Sequence, residues 1–102
     1  MRYALKTYEH TMRIELEGEL TFHDSMSFCR LIARMGKDDS IDAIVINMRK
    51  LYFMDATGLS LMILAYDMAK QTHKEIIYEE PQSQVLKTLA TATPYNALTI
   101  AA

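Results

Sequence analysis

An unbroken apolar run, Ala43-Ile44-Val45-Ile46, constrains this chain most. It lies inside Ile41 to Met48 and is rich in β-branched residues. Such a run suits a central strand covered on both faces, not an edge strand. A turn follows at Met54 to Thr57, then a helical stretch from Gly58 to about Gln71, then a short strand from Glu75 to Glu79. Strand, helix and strand in that order imply a right-handed crossover and parallel pairing. Upstream, Phe28, Leu31, Ile32 and Met35 are spaced as one buried helical stripe. The helix they define runs from about Asp24 to Met35, with Asp24 or Ser25 as its cap and Gly36 as its stop. Two strands precede it, Tyr3 to Glu9 and Met12 to Glu17, joined by a short hairpin at Glu9-His10-Thr11. The second alternates, with Met12, Ile14 and Leu16 on one side and Arg13, Glu15 and Glu17 on the other, so it is half-buried. Gly18 ends it, and Glu19 to His23 is a loop. Pro81 suits the first position of a third helix, with Val85, Leu86 and Leu89 as its buried stripe. Pro94 breaks that helix, and Ala97 to Ile100 is a last strand or a loose tail. The expected fold is α/β: a small mixed sheet of four to five strands, order β-β-α-β-α-β-α(-β), in one domain over residues 1–102.

Charge and composition exclude several function classes. The formal net charge is −2, and the basic residues form no stripe along one helix. Duplex binding usually needs a clustered basic surface, so no direct nucleic acid contact is expected. The longest apolar stretch, Gly58 to Tyr66, falls far short of the ~20 residues that cross a bilayer, so no membrane insertion is expected. Arg2 has no apolar segment behind it of the kind that marks an export signal. A single cysteine, Cys29, rules out an internal disulfide, and the cytoplasm is the expected compartment. Cys29 reads as a small packing residue on the first helix.

No catalytic constellation is visible. His10, His23 and His73 fall in a turn, a loop and past a helix end, where solvent exposure is expected. None is spaced to pair with a serine, with Cys29 or with a metal. Asp38-Asp39 and Glu79-Glu80 read as solvated charges. Three unclustered glycines cannot build a phosphate-cradling loop or a dinucleotide fingerprint. The chain is expected to be no enzyme and to need no cofactor.

One segment stands out: Asp55-Ala56-Thr57-Gly58-Leu59, at the mouth of the second helix. A helix N-terminus offers unpaired amides and a partial charge of about +0.5, a good setting for a phosphate. Gly58 allows close approach of backbone or phosphate. Asp and Thr are also ordinary caps, worth about 1 kcal/mol each. The helix behind this motif carries two apolar stripes, Leu59, Met62, Ile63, Tyr66 and Leu61, Leu64, Ala65, Met68. Burial on one side of a sheet needs one. Either a neighbouring helix covers the second stripe, or part of it is a docking surface beside Thr57.

These features resemble the STAS family, which includes the bacterial anti-sigma-factor antagonists. The family's Asp-Ser-Ser-Gly-Leu motif stands here as Asp55-Ala56-Thr57-Gly58-Leu59, preceded by Phe53-Met54. Gly18-Glu19-Leu20 and the block from Pro81 through Leu89 match further family blocks, and the likeness runs from Tyr3 to about Ile100. The resemblance implies that Thr57 accepts phosphate, with Ala56 removing any neighbouring hydroxyl. It implies protein partners: a serine/threonine kinase-like anti-sigma factor that transfers the phosphate and a phosphatase that removes it. Asp24, Ser25, Asp55, Ala56, Gly58, Leu59 and Ser60 would form the partner-binding rim, in a monomer or weak dimer. Members of the family also serve as constitutive scaffold subunits in stressosome-like complexes and lipid ABC transporters. A nucleotide- or lipid-binding module is a third possibility.

Overall fold

The computed structural model describes residues 1–92 and the backbone of 100–101. Strands β1 (Arg2–Tyr8), β2 (Thr11–Leu20), β3 (Ala43–Met54), β4 (Glu75–Glu79) and β5 (Ile100–Ala101) lie side by side in chain order. β1 is antiparallel to β2 through a two-residue turn in which Glu9 takes φ 54°, while β2 to β5 are parallel. Helices α1 (Ser25–Lys37), α2 (Ala56–Gln71) and α3 (Ser83–Ala90) make the crossovers. With strands added in one direction, right-handed crossovers place all three on one face of the sheet. α2 accordingly packs against both α1 and α3. The expected mixed α/β sheet and its element order are therefore observed. The closing strand is present as β5, whereas Pro94 and the predicted start at Ala97 lie outside the described residues.

The core lies between the sheet and these helices. β2 contributes Met12, Ile14, Leu16 and Leu20, β3 contributes Ile44, Ile46, Met48, Leu51 and Met54, and β4 contributes Ile76 and Tyr78. α1 supplies the expected stripe, Phe28, Leu31, Ile32 and Met35. The Tyr78 hydroxyl donates to the Met62 carbonyl at 2.5 Å, which ties β4 to α2. Burial pushes its pKa well above the ordinary phenol value, so it stays a donor.

The apolar run in β3 is not covered equally on both faces. Ile44 and Ile46 are fully buried, but Ala43 and Val45 are only half-buried. They share their face with the polar groups of neighbouring strands, since Val45 is in register with Arg13 and Ile77. There the Arg13 guanidinium donates to Glu79 at 2.7 Å, spanning from β2 to β4 across β3. Asn47, 5% exposed, donates to Glu79 at 2.8 Å and to Glu80 at 2.9 Å, and its carbonyl accepts the Arg49 amide at 3.1 Å.

Hydrogen bonds from Arg13 and then Asn47 hold the Glu79 carboxyl below its ordinary value of 4.5. A depressed folded-state pKa stabilises the fold fully above pH 4.5, and the contribution is lost as pH falls through the folded value. Thermal unfolding of Glu79→Gln should therefore fall below the parent most at neutral pH, with the gap closing in acid. A gap independent of pH would show that the charge is not involved.

Several boundaries differ from the sequence reading. β2 runs through Gly18, at φ 96°, to Leu20. A 3-10 turn, Phe22–Asp24, occupies the expected loop. Gly36 lies inside α1, where a Cβ would come within 3.1 Å of Met68 Sδ; it permits close α1–α2 packing instead of stopping the helix. α3 begins at Ser83, after Pro81, and Leu86 on it is 44% exposed while Val85 and Leu89 are buried. Cys29 points to solvent and is not a packing residue. His10, His23 and His73 are exposed as expected.

Candidate functional site

Where β2 and β3 end side by side, α2 begins. The Asp55 amide donates to the Leu20 carbonyl at 3.3 Å, joining the two strand ends. Asp55 is the N-cap, and α2 starts at Ala56, two residues before the predicted start. Its Oδ1 accepts the Gly58 amide at 2.8 Å, the third helical position that an N-cap side chain serves. Its Oδ2 accepts the Phe22 amide at 3.1 Å. One carboxylate thus closes the first turn of α2 and moors the 3-10 turn beside it.

Gly58 is buried against the strand ends. A Cβ there would sit 2.5 Å from the Leu20 carbonyl oxygen and 2.7 Å from Met54 Cγ. The close approach is therefore to backbone within the fold. On the other side of the junction, the Gln84 side chain of α3 accepts the Met54 amide at 2.9 Å and donates to the Met54 carbonyl at 2.8 Å. It pairs with β3 as a neighbouring strand would, beyond the point where β4 stops pairing at Asn47.

Thr57 is the second residue of α2 and is half-exposed. Its hydroxyl has no hydrogen-bond partner among the described residues, nor do the amides of Ala56 and Thr57. A free hydroxyl at a helix N-terminus, next to two free amides, is chemically suited to modification by an anionic group. Ser60 is exposed, but its hydroxyl is engaged with the Ala56 carbonyl at 3.1 Å. Ala56 is exposed and Leu59 is half-buried against the core.

Asp24 and Ser25 play different parts from those expected. Thr21 caps the 3-10 turn, accepting the His23 amide at 3.3 Å, while Asp24 reaches back to accept the Thr21 amide at 3.0 Å. This is a capping box, and Asp24 makes no side-chain cap to α1. Its other oxygen lies 3.1 Å from the Met1 amino group. The Ser25 hydroxyl donates to the Phe22 carbonyl at 2.9 Å. Both residues hold the turn that borders the site.

Two residues absent from the sequence reading complete the surface. Phe22 is 62% exposed and Met26, one turn further on, is 71% exposed. Phe22 stacks on His23, ring centroids 4.0 Å apart, and its own backbone is bonded to Asp55. The capping pattern Thr21-x-x-Asp24 was the available signal, since it starts the helix at Phe22 and removes Phe22 from a loop.

The second stripe of α2 is largely accounted for within the fold. Leu61 and Ala65 are buried and Met68 packs against α1, while Leu64 alone of the stripe is exposed, at 46%. Among the described residues, no three His, Cys, Asp or Glu side chains are grouped to hold a metal, and no helix is long and apolar enough to cross a membrane.

Comparison with known proteins agrees with this architecture. The STAS domain family profile matches residues 2–98, and the chain belongs to that family. The anti-sigma factor antagonist SpoIIAA in its unphosphorylated form superposes with a TM-score of 0.77 at 20% identity, covering 99% of this chain and 88% of that one. The phosphorylated form of SpoIIAA, described as a Bacillus cell fate determinant, gives a TM-score of 0.76 at 20% identity over 99% and 92% of the two chains. A protein of Thermotoga maritima described as an anti-sigma factor antagonist gives 0.83 at 11% identity, over 96% and 84%. The murine solute carrier 26 family member A9 anion transporter gives 0.75 at 13% identity, over 93% of this chain but 16% of that one.

Proposed function

We propose that this chain is a single-domain, anti-anti-sigma-factor-like regulator, itself not an enzyme, that acts in the cytoplasm by partner switching. The observation that carries this reading is the free, half-exposed Thr57 hydroxyl on the first turn of α2, with Phe22 exposed on the adjoining 3-10 turn and Met26 on the first turn of α1. Unmodified, this surface binds a serine/threonine kinase-like anti-sigma factor. Ala56, Ser60, Asp24 and Ser25 lie on its rim, while Asp55 and Gly58 fix its shape. Transfer of phosphate to Thr57 adds about −1.5 to −2 charges. At a packed protein interface that charge must be desolvated, which weakens the contact. A phosphatase resets the surface. Likeness in fold to SpoIIAA, known in both forms, supports this reading.

The test combines phosphosite mapping with binding. Incubation with the kinase partner and ATP should label Thr57 and leave Thr57→Ala unlabelled. Thr57→Glu should weaken partner affinity at least about tenfold, equivalent to ~1.4 kcal/mol, whereas Phe22→Ala should weaken it without affecting folding. Absence of label at Thr57 together with full binding by Thr57→Glu would defeat the proposal.

The superposition on a transporter chain favours a second reading, a constitutive subunit or scaffold in which Thr57 only begins the helix. Stable co-purification with a membrane transporter, unchanged by Thr57→Ala and Thr57→Glu, would select it.

A further inference from the structure

The outer edge of β1 is bare. Every residue of the strand is exposed except Leu5, which is half-buried. β1 pairs with β2 through a two-residue turn, with Tyr8 opposite Thr11. Such a turn closes on a hydrogen-bonded pair, and bonded pairs alternate along the ladder. Tyr8, Lys6, Ala4 and Arg2 therefore bond to β2. The amides of Asp42 and Ala43 donate to the His10 carbonyl, which sets the same alternation on β2 from the β3 side. The peptide groups of Tyr3, Leu5 and Thr7 point outward, and no strand lies beside them among the described residues. Neither a proline nor a bulge blunts this edge.

The surroundings of the edge are basic. α1 contains no carboxylate, and Arg30, Arg34 and Lys37 are all exposed on it. This is a basic row on one helix, where the sequence reading expected none. None of the three makes an ion pair among the described residues. Asp38, the C-cap of α1, feels the Arg34 charge but takes its hydrogen bonds from Ser40. Gly36 marks the flank of α1 that meets α2, since a Cβ there would lie 3.1 Å from Met68 Sδ. At about 100° per residue, Arg34 and Arg30 sit about 160° and about 120° round from Gly36, so they point away from α2. α1 crosses from β2 to β3 and α2 from β3 to β4, so away from α2 is toward β1. On the other face of the sheet, Lys6 is exposed opposite Arg13 and makes no ion pair among the described residues.

We propose that this edge takes up an extended acidic segment of a partner protein as a further strand. Tyr3, Leu5 and Thr7 each offer one N–H and one C=O for the ladder. Arg30 and Arg34 on one face and Lys6 on the other select acidic side chains, and a lysine on an edge turns away strands that do not neutralise it. A second copy of this chain is the poorer occupant. Two β1 strands paired about a two-fold axis would turn the Arg30 and Arg34 flanks of both copies toward each other, like charge against like. The edge is separate from Thr57, and the proposal does not rest on that residue.

The probe is the peptide acetyl-Asp-Val-Glu-Val-Glu-Val-Asp-amide, titrated into the 15N-labelled full chain. Its shifts should saturate. It should slow hydrogen exchange at the Tyr3, Leu5 and Thr7 amides, which exchange fast in the free chain, whereas Ala4 and Lys6 are slow in both states. The same peptide with proline in place of its central valine should not bind. Thr7→Pro removes an outward N–H and none from the β1–β2 ladder, so the fold should survive while affinity falls at least about tenfold. Arg30→Glu combined with Arg34→Glu, at exposed positions, should lower affinity as much, and it is the decisive variant should Thr7→Pro fail to fold. Shifts that do not saturate, parent-like affinity in either folded variant, equal binding of the proline peptide, tighter binding of a single-stranded oligonucleotide, or protection of the same three amides by self-association without peptide would each overturn the proposal.

Discussion

Replacing Gly58 with alanine should cost about 2–3 kcal/mol of stability, a fall in Tm of about 10–20 °C for a chain of this size. The added methyl would meet the Leu20 carbonyl oxygen at 2.5 Å and Met54 Cγ at 2.7 Å. Methionine can swing aside. The carbonyl cannot, because it is backbone and accepts the Asp55 amide. The start of α2 must therefore lift away from the strand ends. Overpacking costs about 1–3 kcal/mol and occasionally more, and an immovable backbone oxygen sets this site at the upper end, while alanine returns about 1 kcal/mol through its helix propensity, so the clash wins. Urea denaturation of the purified variant gives the answer. Parent-like stability would mean that α2 is not seated on Leu20.

Removing the Asp55 side chain should cost nearly as much. Asp55→Ala deletes the cap on Gly58, about 1 kcal/mol, and a charge-assisted bond to the Phe22 amide, about 1.5–3 kcal/mol before solvent makes up part of the loss. A net loss of about 2–3 kcal/mol is expected, and amide exchange at Phe22 and Gly58 should accelerate together. Asp55→Asn is the informative control. Its one carbonyl oxygen can serve Gly58, but its NH2 would face the Phe22 amide, donor against donor. The helix start should then hold while the 3-10 turn loosens. If Phe22 exchange is unchanged in both variants, the carboxylate does not bridge the two segments.

Much of the fold was legible where side-chain spacing follows simple periods. Phe28, Leu31, Ile32 and Met35 mark α1, and Ile44 and Ile46 mark the start of β3, because each set answers to one regular element. The second half of β3 was not legible. Two register shifts, between Glu15 and Glu17 and between Gly18 and Glu19 on β2, change which face β3 presents. Its buried residues become Met48, Leu51 and Met54, spaced by three, with Arg49 and Lys50 exposed between them. That spacing resembles no strand.

At the site, Asp55 as cap and the Asp55-Ala56-Thr57-Gly58 segment as a helix start could be read directly, since capping is local chemistry. The seating of Phe22 beside α2 could not, even though Thr21-x-x-Asp24 marks its turn, because that seating depends on a carboxylate 33 residues away. Gln84 was equally hidden: nothing in a glutamine on a short helix signals that its amide will bond to a strand. The role assigned to Asp24 failed for a nearer reason. A capping box one turn upstream had already claimed its side chain.

That glutamine carries a mechanical consequence. Past Asn47, the exposed flank of β3 would otherwise offer unsatisfied peptide groups to any passing chain, and a side chain, unlike a strand, seals it at a single residue. The residue sealed is Met54, immediately before Asp55. A tilt or slide of α3 therefore cannot occur without either breaking two hydrogen bonds or dragging the first turn of α2 along with it. Whatever docks on α3 holds a lever on Thr57, 27 positions upstream in the sequence and one linkage away in space.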